Sequence, residues 1–131
     1  MNPPATSERS VLIRRALRFG LTGIAVTALH ALVAVLFIEH VQALPPLANG
    51  VAFIVATVVS YVVNTTWSFS SRLHGRTLAR FVTVSVVGFF LAMLVAWIAQ
   101  VAGLDYRLGI VAVALTLPVF TFVLHNFWTY R

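Results

Sequence analysis

Residues 81–102 read FVTVSVVGFFLAMLVAWIAQVA, a run of 22 residues without a formally charged side chain. A helix of about 20 apolar residues is long enough to cross the hydrocarbon core of a bilayer. Twelve of the 22 residues are Leu, Ile, Phe or Val, and each contributes roughly −0.3 to −0.6 kcal/mol to insertion at the middle of a membrane. The run therefore predicts a transmembrane helix.

Three other segments have the same apolar character, and they are residues 19–38, 47–67 and 108–128. Residues 39–46 include Pro45 and Pro46, which cannot continue a helix and so indicate a break. Of the 131 residues, 60% are hydrophobic and only 9% are charged, against about 25% charged in an average soluble domain. The sequence thus predicts an all-α integral membrane protein with four transmembrane helices in a single domain, residues 1–131.

The basic residues indicate how these spans are oriented. Arg107 lies alone on one side of the membrane, and eight arginines lie on the other: Arg9, Arg14, Arg15, Arg18, Arg72, Arg76, Arg80 and Arg131. Because basic loops stay in the cytoplasm, both termini are predicted to be cytoplasmic. The net charge of +6 then lies against anionic lipid headgroups, and no nucleic acid is expected as a partner.

The chain also contains an internal repeat. Arg18-Phe19 at the start of the first span recurs as Arg80-Phe81 at the start of the third, an offset of 62 residues. The ending NTTWSF of the second span, residues 64–69, is echoed by HNFWTY at residues 125–130 of the fourth, an offset of 61. We predict two helical hairpin repeats that run in parallel and are related by an axis along the membrane normal.

Four candidate binding residues lie at the predicted cytoplasmic ends of the spans. Arg18 and Arg80 suffice as topology signals, but a guanidinium is also a planar donor suited to bidentate phosphate binding. Trp67 and Trp128 are typical of the aromatic belt at a membrane surface, and they also suit packing against a lipid-linked headgroup. Each pair therefore has a structural and a functional interpretation.

Asn64 closes a stripe of small residues at four-residue spacing, which comprises Ala48, Ala52, Ala56 and Ser60. Such a stripe indicates close helix packing, while the amide at its end suits hydrogen bonding to a polar ligand or a neighbouring backbone. His125 and Asn126 take the corresponding place in the second repeat. His30, in the middle of the first span, is expected to be neutral and hydrogen-bonded between helices, because an ion there would cost far more.

These residues also carry a family resemblance. Arg18-Phe19 with Gly23 and Thr27, the run 47–61, the ending Asn64-x-x-Trp67-x-Phe69, a basic loop and a second Arg-Phe pair resemble the GtrA-like family of small bacterial membrane proteins, over about residues 17–131. The resemblance implies a four-helix protein of the bacterial cytoplasmic membrane, linked to cell-surface polysaccharide synthesis. It also implies translocation of polyprenyl-phosphate-linked sugars to the outer leaflet.

On this basis we expect a flippase for an undecaprenyl-phosphate sugar. Arg18 and Arg80 would hold the phosphate at the cytoplasmic mouth. Asn64, His125 and Asn126 would hydrogen-bond the headgroup, and Trp67 and Trp128 would pack on the sugar or the prenyl chain. Four helices give little room for such a passage, so a homo-oligomer, most simply a dimer, is expected.

Other function classes stay open. A non-transporting adaptor that recruits or stabilises a membrane glycosyltransferase would have much the same four-helix anchor. An enzyme ranks last, because the sequence offers neither a nucleophile nor paired carboxylates, and no catalytic residue, metal or cofactor is expected. The spans contain no acidic residue, which argues against a proton-coupled small-multidrug exporter.

Overall fold

The computed structural model describes residues 5–42 and 44–131. Within these residues the chain is helical and contains no strand, and its α-helices are α1 (Ala5–Val41), α2 (Pro45–Val63), α3 (Gly75–Val101) and α4 (Tyr106–Leu124). A five-residue π-helix follows α2 directly, and another follows α4. The first π-helix is Asn64–Ser68, and the second π-helix is His125–Thr129. The predicted all-α fold class is confirmed.

In the described part of the chain, four helical segments are long and apolar enough to cross a membrane. They are Thr6–Val41, Leu47–Ser68, Gly75–Val101 and Arg107–Thr129, which confirms the number of spans predicted from the sequence. Residues 1–4 and 43, which belong to the predicted domain and to the predicted break at 39–46, lie outside the described residues. That residues 1–131 form a single domain stays a prediction.

Two helices begin earlier than the spans predicted from charge. Helix α1 starts at Ala5 although the predicted span starts at residue 19, because arginine is a good helix former that ends a membrane span without ending a helix. Helix α3 starts at Gly75, six residues before its predicted span. His74 and Thr77 form a reciprocal capping box there, which satisfies donors at the helix start.

The described residues divide into two compact units, one that ends at Arg72 and one that comprises Leu73–Arg131. Each unit contains a long α-helix, a shorter α-helix and a π-helix, in that order. The parallel relation of the two hairpins about a common axis stays a prediction.

The first hairpin packs through the predicted stripe of small residues. Ala48 and Ala52 have no exposed surface and Ala56 is 6% exposed, so the stripe on α2 is buried. Small side chains let the backbones of two helices approach closely, which supports the packing interpretation of this stripe. His30 Nε2 on α1 lies 3.3 Å from Asn49 Oδ1 on α2, which confirms the expected hydrogen bond of His30 between helices.

The second hairpin also depends on close approach. A Cβ atom at Gly88 of α3 would lie 3.4 Å from side-chain atoms of Leu117 and Thr121 on α4, and one at Gly109 would lie 3.4 Å from the Cβ of Ala99. These contacts are close, so larger side chains at the two glycines would push α3 and α4 apart.

Candidate functional site

The two residues of the first Arg–Trp site, Arg18 and Trp67, lie together where α1 passes the first π-helix. The Nη1 atom of Arg18 donates a hydrogen bond of 2.9 Å to the carbonyl oxygen of Trp67. The guanidinium carbon lies 5.2 Å from the centre of the Trp67 ring, within the range of a cation–π interaction. Trp67 is 43% exposed, so the indole of this Arg–Trp site is accessible from outside the hairpin.

The second Arg–Trp site, Arg80 and Trp128, repeats this arrangement in the second hairpin. The Nη1 atom of Arg80 donates to the carbonyl oxygen of Trp128 at 2.7 Å and to that of Arg131 at 2.8 Å. The Arg80 guanidinium carbon lies 5.4 Å from the centre of the Trp128 ring. The structure thus brings each predicted arginine onto the predicted tryptophan of its own repeat, a pairing that the sequence did not specify.

A π-helix contains the tryptophan of each Arg–Trp site. The amide N–H of Phe69 bonds the carbonyl of Asn64 at 2.9 Å, and that of Tyr130 bonds His125 at 3.1 Å, so each bond spans five residues instead of four. The carbonyl of Thr65 accepts from the Ser71 amide at 2.7 Å. Single π-helical turns are rare and occur frequently at functional sites. Their occurrence at the same place in both hairpins marks these ends as the candidate site.

Asn64 lies inside the first hairpin, with only 2% of its surface exposed. Its Nδ2 atom donates to Ser60 Oγ at 3.1 Å, and its Oδ1 atom accepts from Ser68 Oγ at 2.9 Å. Ser68 Oγ is also 3.4 Å from Thr22 Oγ1 on α1. These four side chains form a polar chain that joins α1, α2 and the first π-helix, and Ser68 in this chain directly follows Trp67 of the first Arg–Trp site.

His125 has the corresponding position in the second hairpin and is 3% exposed. Its Nδ1 atom lies 3.0 Å from Thr129 Oγ1, and its ring stacks on that of Phe81 with 4.6 Å between centroids. The following residue, Asn126, is buried as well. The hydrogen-bonded pairs Asn64 with Ser68 and His125 with Thr129 both span four residues. The two hairpins therefore have the same spacing of the pair but an amide in one and an imidazole in the other.

Arg15 is a neighbour of the first Arg–Trp site that the sequence reading treated only as a topology signal. Its guanidinium carbon lies 6.0 Å from the centre of the Phe69 ring. The available signal was spacing, because residues three apart on a helix share a face and Arg15 is three before Arg18. Thr22 and Ser68 were also missed. Single hydroxyl residues are common within spans and at their ends, so neither residue stood out in the sequence.

An apolar groove of about 390 Å³ lies between α1 and α2. One wall contains residues of α1 from Leu21 to Leu29, and the other contains Val59, Val63 and Trp67. A larger groove of about 880 Å³ lies between α3 and α4, but its polar lining residues are Gln100 and Asp105, at the end of the hairpin far from Arg80 along α3. Across the residues described, no three His, Asp or Glu side chains lie together as a metal site would require.

The chain matches the model of a known protein family. Residues 18–130 match the family model described as the GtrA/DPMS transmembrane domain. The matched region begins at Arg18 and includes both Arg–Trp sites and both π-helices. Neither the curated proteins nor the solved structures include a match to the chain.

Proposed function

The chain belongs to the GtrA/DPMS transmembrane domain family, and from this premise we propose that it is a flippase for a polyprenyl-phosphate-linked sugar. The sugar lipid would pass from the cytoplasmic to the outer leaflet of a bacterial cytoplasmic membrane and serve cell-surface polysaccharide synthesis or glycosylation. Membership of this family and the apolar helices described above make the chain a multi-pass membrane protein.

The observation that carries the proposal is the pairing of a guanidinium with an indole in each hairpin. A phosphate diester or monoester accepts charge-assisted hydrogen bonds from arginine, and a sugar ring or an isoprenoid chain packs on an aromatic face. Each pair can make both contacts from one place, because the guanidinium carbon lies 5.2 Å from the ring centre in Arg18 with Trp67 and 5.4 Å in Arg80 with Trp128. Each pair is therefore suited to the junction between the headgroup and the chain of such a lipid.

The buried polar chain supports the same proposal. A sugar phosphate cannot cross about 30 Å of hydrocarbon unless polar groups replace its water. Buried Asn64 and Ser68 already share a hydrogen bond in the π-helix that carries Trp67, as do His125 and Thr129 in the π-helix that carries Trp128. Asn64, His125 and Asn126 would transfer hydrogen bonds to the headgroup as it leaves the surface. Consumption of the sugar lipid by a glycosyltransferase outside would drive transport downhill, without a catalytic step in this chain.

The test is reconstitution of the purified protein in vesicles that contain a labelled polyprenyl-phosphate sugar. We expect the rate of headgroup exposure on the opposite leaflet to rise well above that of protein-free vesicles. Arg18→Ala and Arg80→Ala are each expected to lower this rate at least tenfold while membrane insertion and oligomerisation are kept. Val87→Ala, a change at an exposed position of α3, is the matched control and should transport as the wild type does.

The same experiment separates the proposal from its rival. If wild-type protein does not raise exposure above that of protein-free vesicles, the flippase proposal is wrong, and an adaptor for a membrane glycosyltransferase is the better explanation. If both arginine variants transport as fast as wild type, the assignment of the Arg–Trp sites to the headgroup is wrong.

A further inference from the structure

We propose that the groove between α1 and α2 holds the isoprenoid chain of a lipid phosphate, with Arg18 and Arg15 on its phosphate, so that the first hairpin carries the chain-binding site. This inference rests on the proposed function for the identity of the lipid. It adds where on the molecule the chain lies and which hairpin takes it.

The shape of the groove suits a chain that enters from the first Arg–Trp site. Its α1 wall, from Leu21 to Leu29, is about 12 Å long at 1.5 Å per residue. Arg18 precedes Leu21 by three residues and therefore lies one turn above the groove on the same face. Trp67 belongs to the opposite wall and also contacts the Arg18 guanidinium, so the groove opens directly beneath that cation.

The charge at this opening selects an anionic headgroup. A guanidinium has five N–H donors, and the Trp67 carbonyl accepts from one nitrogen of Arg18, so further donors can reach a phosphate. Arg15 adds a second cation one turn away, over the Phe69 ring. Two cations above an apolar groove are complementary to an amphiphile with an anionic head, whereas a free phosphate ion would leave the groove unfilled.

The second hairpin differs at the corresponding place. The position that matches Ala25, at the repeat offset of 62 residues, is Val87, which is exposed and does not line the large groove of that hairpin. That groove lies toward Gln100 and Asp105, and the carboxylate there would repel a phosphate. The isoprenoid chain is therefore assigned to the first hairpin.

The experiment measures binding of farnesyl phosphate to the purified full chain in an uncharged maltoside detergent. Ala25→Phe fills the groove and should weaken the affinity at least tenfold, whereas Val87→Phe, the matched change in the second hairpin, should leave it within twofold. Val59→Phe narrows the groove from the α2 wall and should reproduce the loss, which keeps the test valid if Ala25→Phe does not fold. Arg18→Gln should weaken farnesyl phosphate at least tenfold and farnesol less than threefold.

Three results would overturn the inference. They are unchanged affinity in folded Ala25→Phe or Val59→Phe, an equal loss in Val87→Phe, and competition by inorganic phosphate at the concentrations at which farnesyl phosphate binds.

The vesicle assay keeps the two proposals distinct. Binding as expected without transport by wild type would refute the flippase and leave the groove assignment standing. Transport by Ala25→Phe at the wild-type rate would refute the groove assignment and leave the flippase standing.

Discussion

The arginines of the two Arg–Trp sites have the same sequence context but unequal hydrogen bonds. Arg18 donates to one carbonyl, that of Trp67, while both hydrogens of Nη1 in Arg80 go to carbonyls. The sequence predicted both arginines as candidates because a guanidinium at the start of a span is a planar donor suited to binding phosphate at the membrane surface. The sequence could not predict this difference, because the acceptors are backbone carbonyl oxygens, which every residue has whatever its side chain.

Ser68 provides a residue-scale prediction about the buried polar chain. Removing its hydroxyl leaves Asn64 Oδ1 without the donor it has at 2.9 Å, and an unsatisfied buried acceptor destabilises a fold. We expect Ser68→Ala to lower the free energy of unfolding by about 1 kcal/mol, the usual size of such interactions within membranes. Thermal or denaturant unfolding of the detergent-solubilised protein measures this.

Thr66→Ala is the control for Ser68→Ala. Thr66 lies in the same π-helix, but its side chain is exposed and its hydroxyl donates to the carbonyl of Val62, four residues earlier at the end of α2. Its removal should change stability much less. Equal losses in the two variants would show that the buried polar chain contributes nothing specific.

At the scale of elements, the main departure from expectation is the π-helix at the end of each hairpin. The motif Asn64-x-x-Trp67-x-Phe69 correctly marked the end of a span, but no residue propensity distinguishes a five-residue bond from a four-residue one. The early start of α1 has a different reason: hydropathy locates the lipid boundary, whereas the helix continues through charged residues on both sides of it.

The first π-helix yields a prediction at this scale. A π-helix contains one residue more than an α-helix of the same rise, so deleting Thr66 should restore α-helical geometry. Trp67 would then follow Thr65 directly, so its side chain and its carbonyl oxygen would turn relative to α2, which would displace them from Arg18. We expect headgroup transport in vesicles to fall at least tenfold while the helical content in circular dichroism is kept.

A deletion of Leu73, in the non-helical segment after the first π-helix, is the control for the Thr66 deletion. It changes the chain length equally but leaves the register of α2 and its π-helix intact. If the Thr66 deletion transports as well as wild type, the π-helix is not required for the site.

For the whole molecule, the composition and the apolar runs were sufficient to predict the fold class and the number of spans, whereas the family was indicated by a resemblance in motifs such as Asn64-x-x-Trp67-x-Phe69. The repeat offsets predicted which elements would correspond; each compact unit contains a long α-helix, a shorter α-helix and a π-helix in that order, while the repeat relation itself stays a prediction. What the sequence left open is side-chain orientation. Asn64, His125 and Asn126 were predicted as binding residues, which stays a prediction, and their burial in the structure was not foreseen because burial at a helix end depends on tertiary packing.

The orientation of the molecule in the membrane is testable because the chain contains no cysteine. Ser70→Cys in the loop between the units and Leu104→Cys in the turn before α4 are both at exposed positions. The arginine distribution predicts that a membrane-impermeant maleimide added to intact bacterial cells labels Cys at position 104 only. Label at position 70 under these conditions would reverse the predicted topology.

The length of α1 has a mechanical consequence. Its 37 residues extend about 55 Å, well beyond the thickness of a bilayer core of about 30 Å, and the helix is continuous from Ala5 to Val41. Because the helix is continuous, a tilt of its basic N-terminal section moves Arg18 and the adjoining wall of the groove together. A force applied to the part of α1 in the aqueous phase can thus move Arg18 and this wall without any rearrangement of the chain in between.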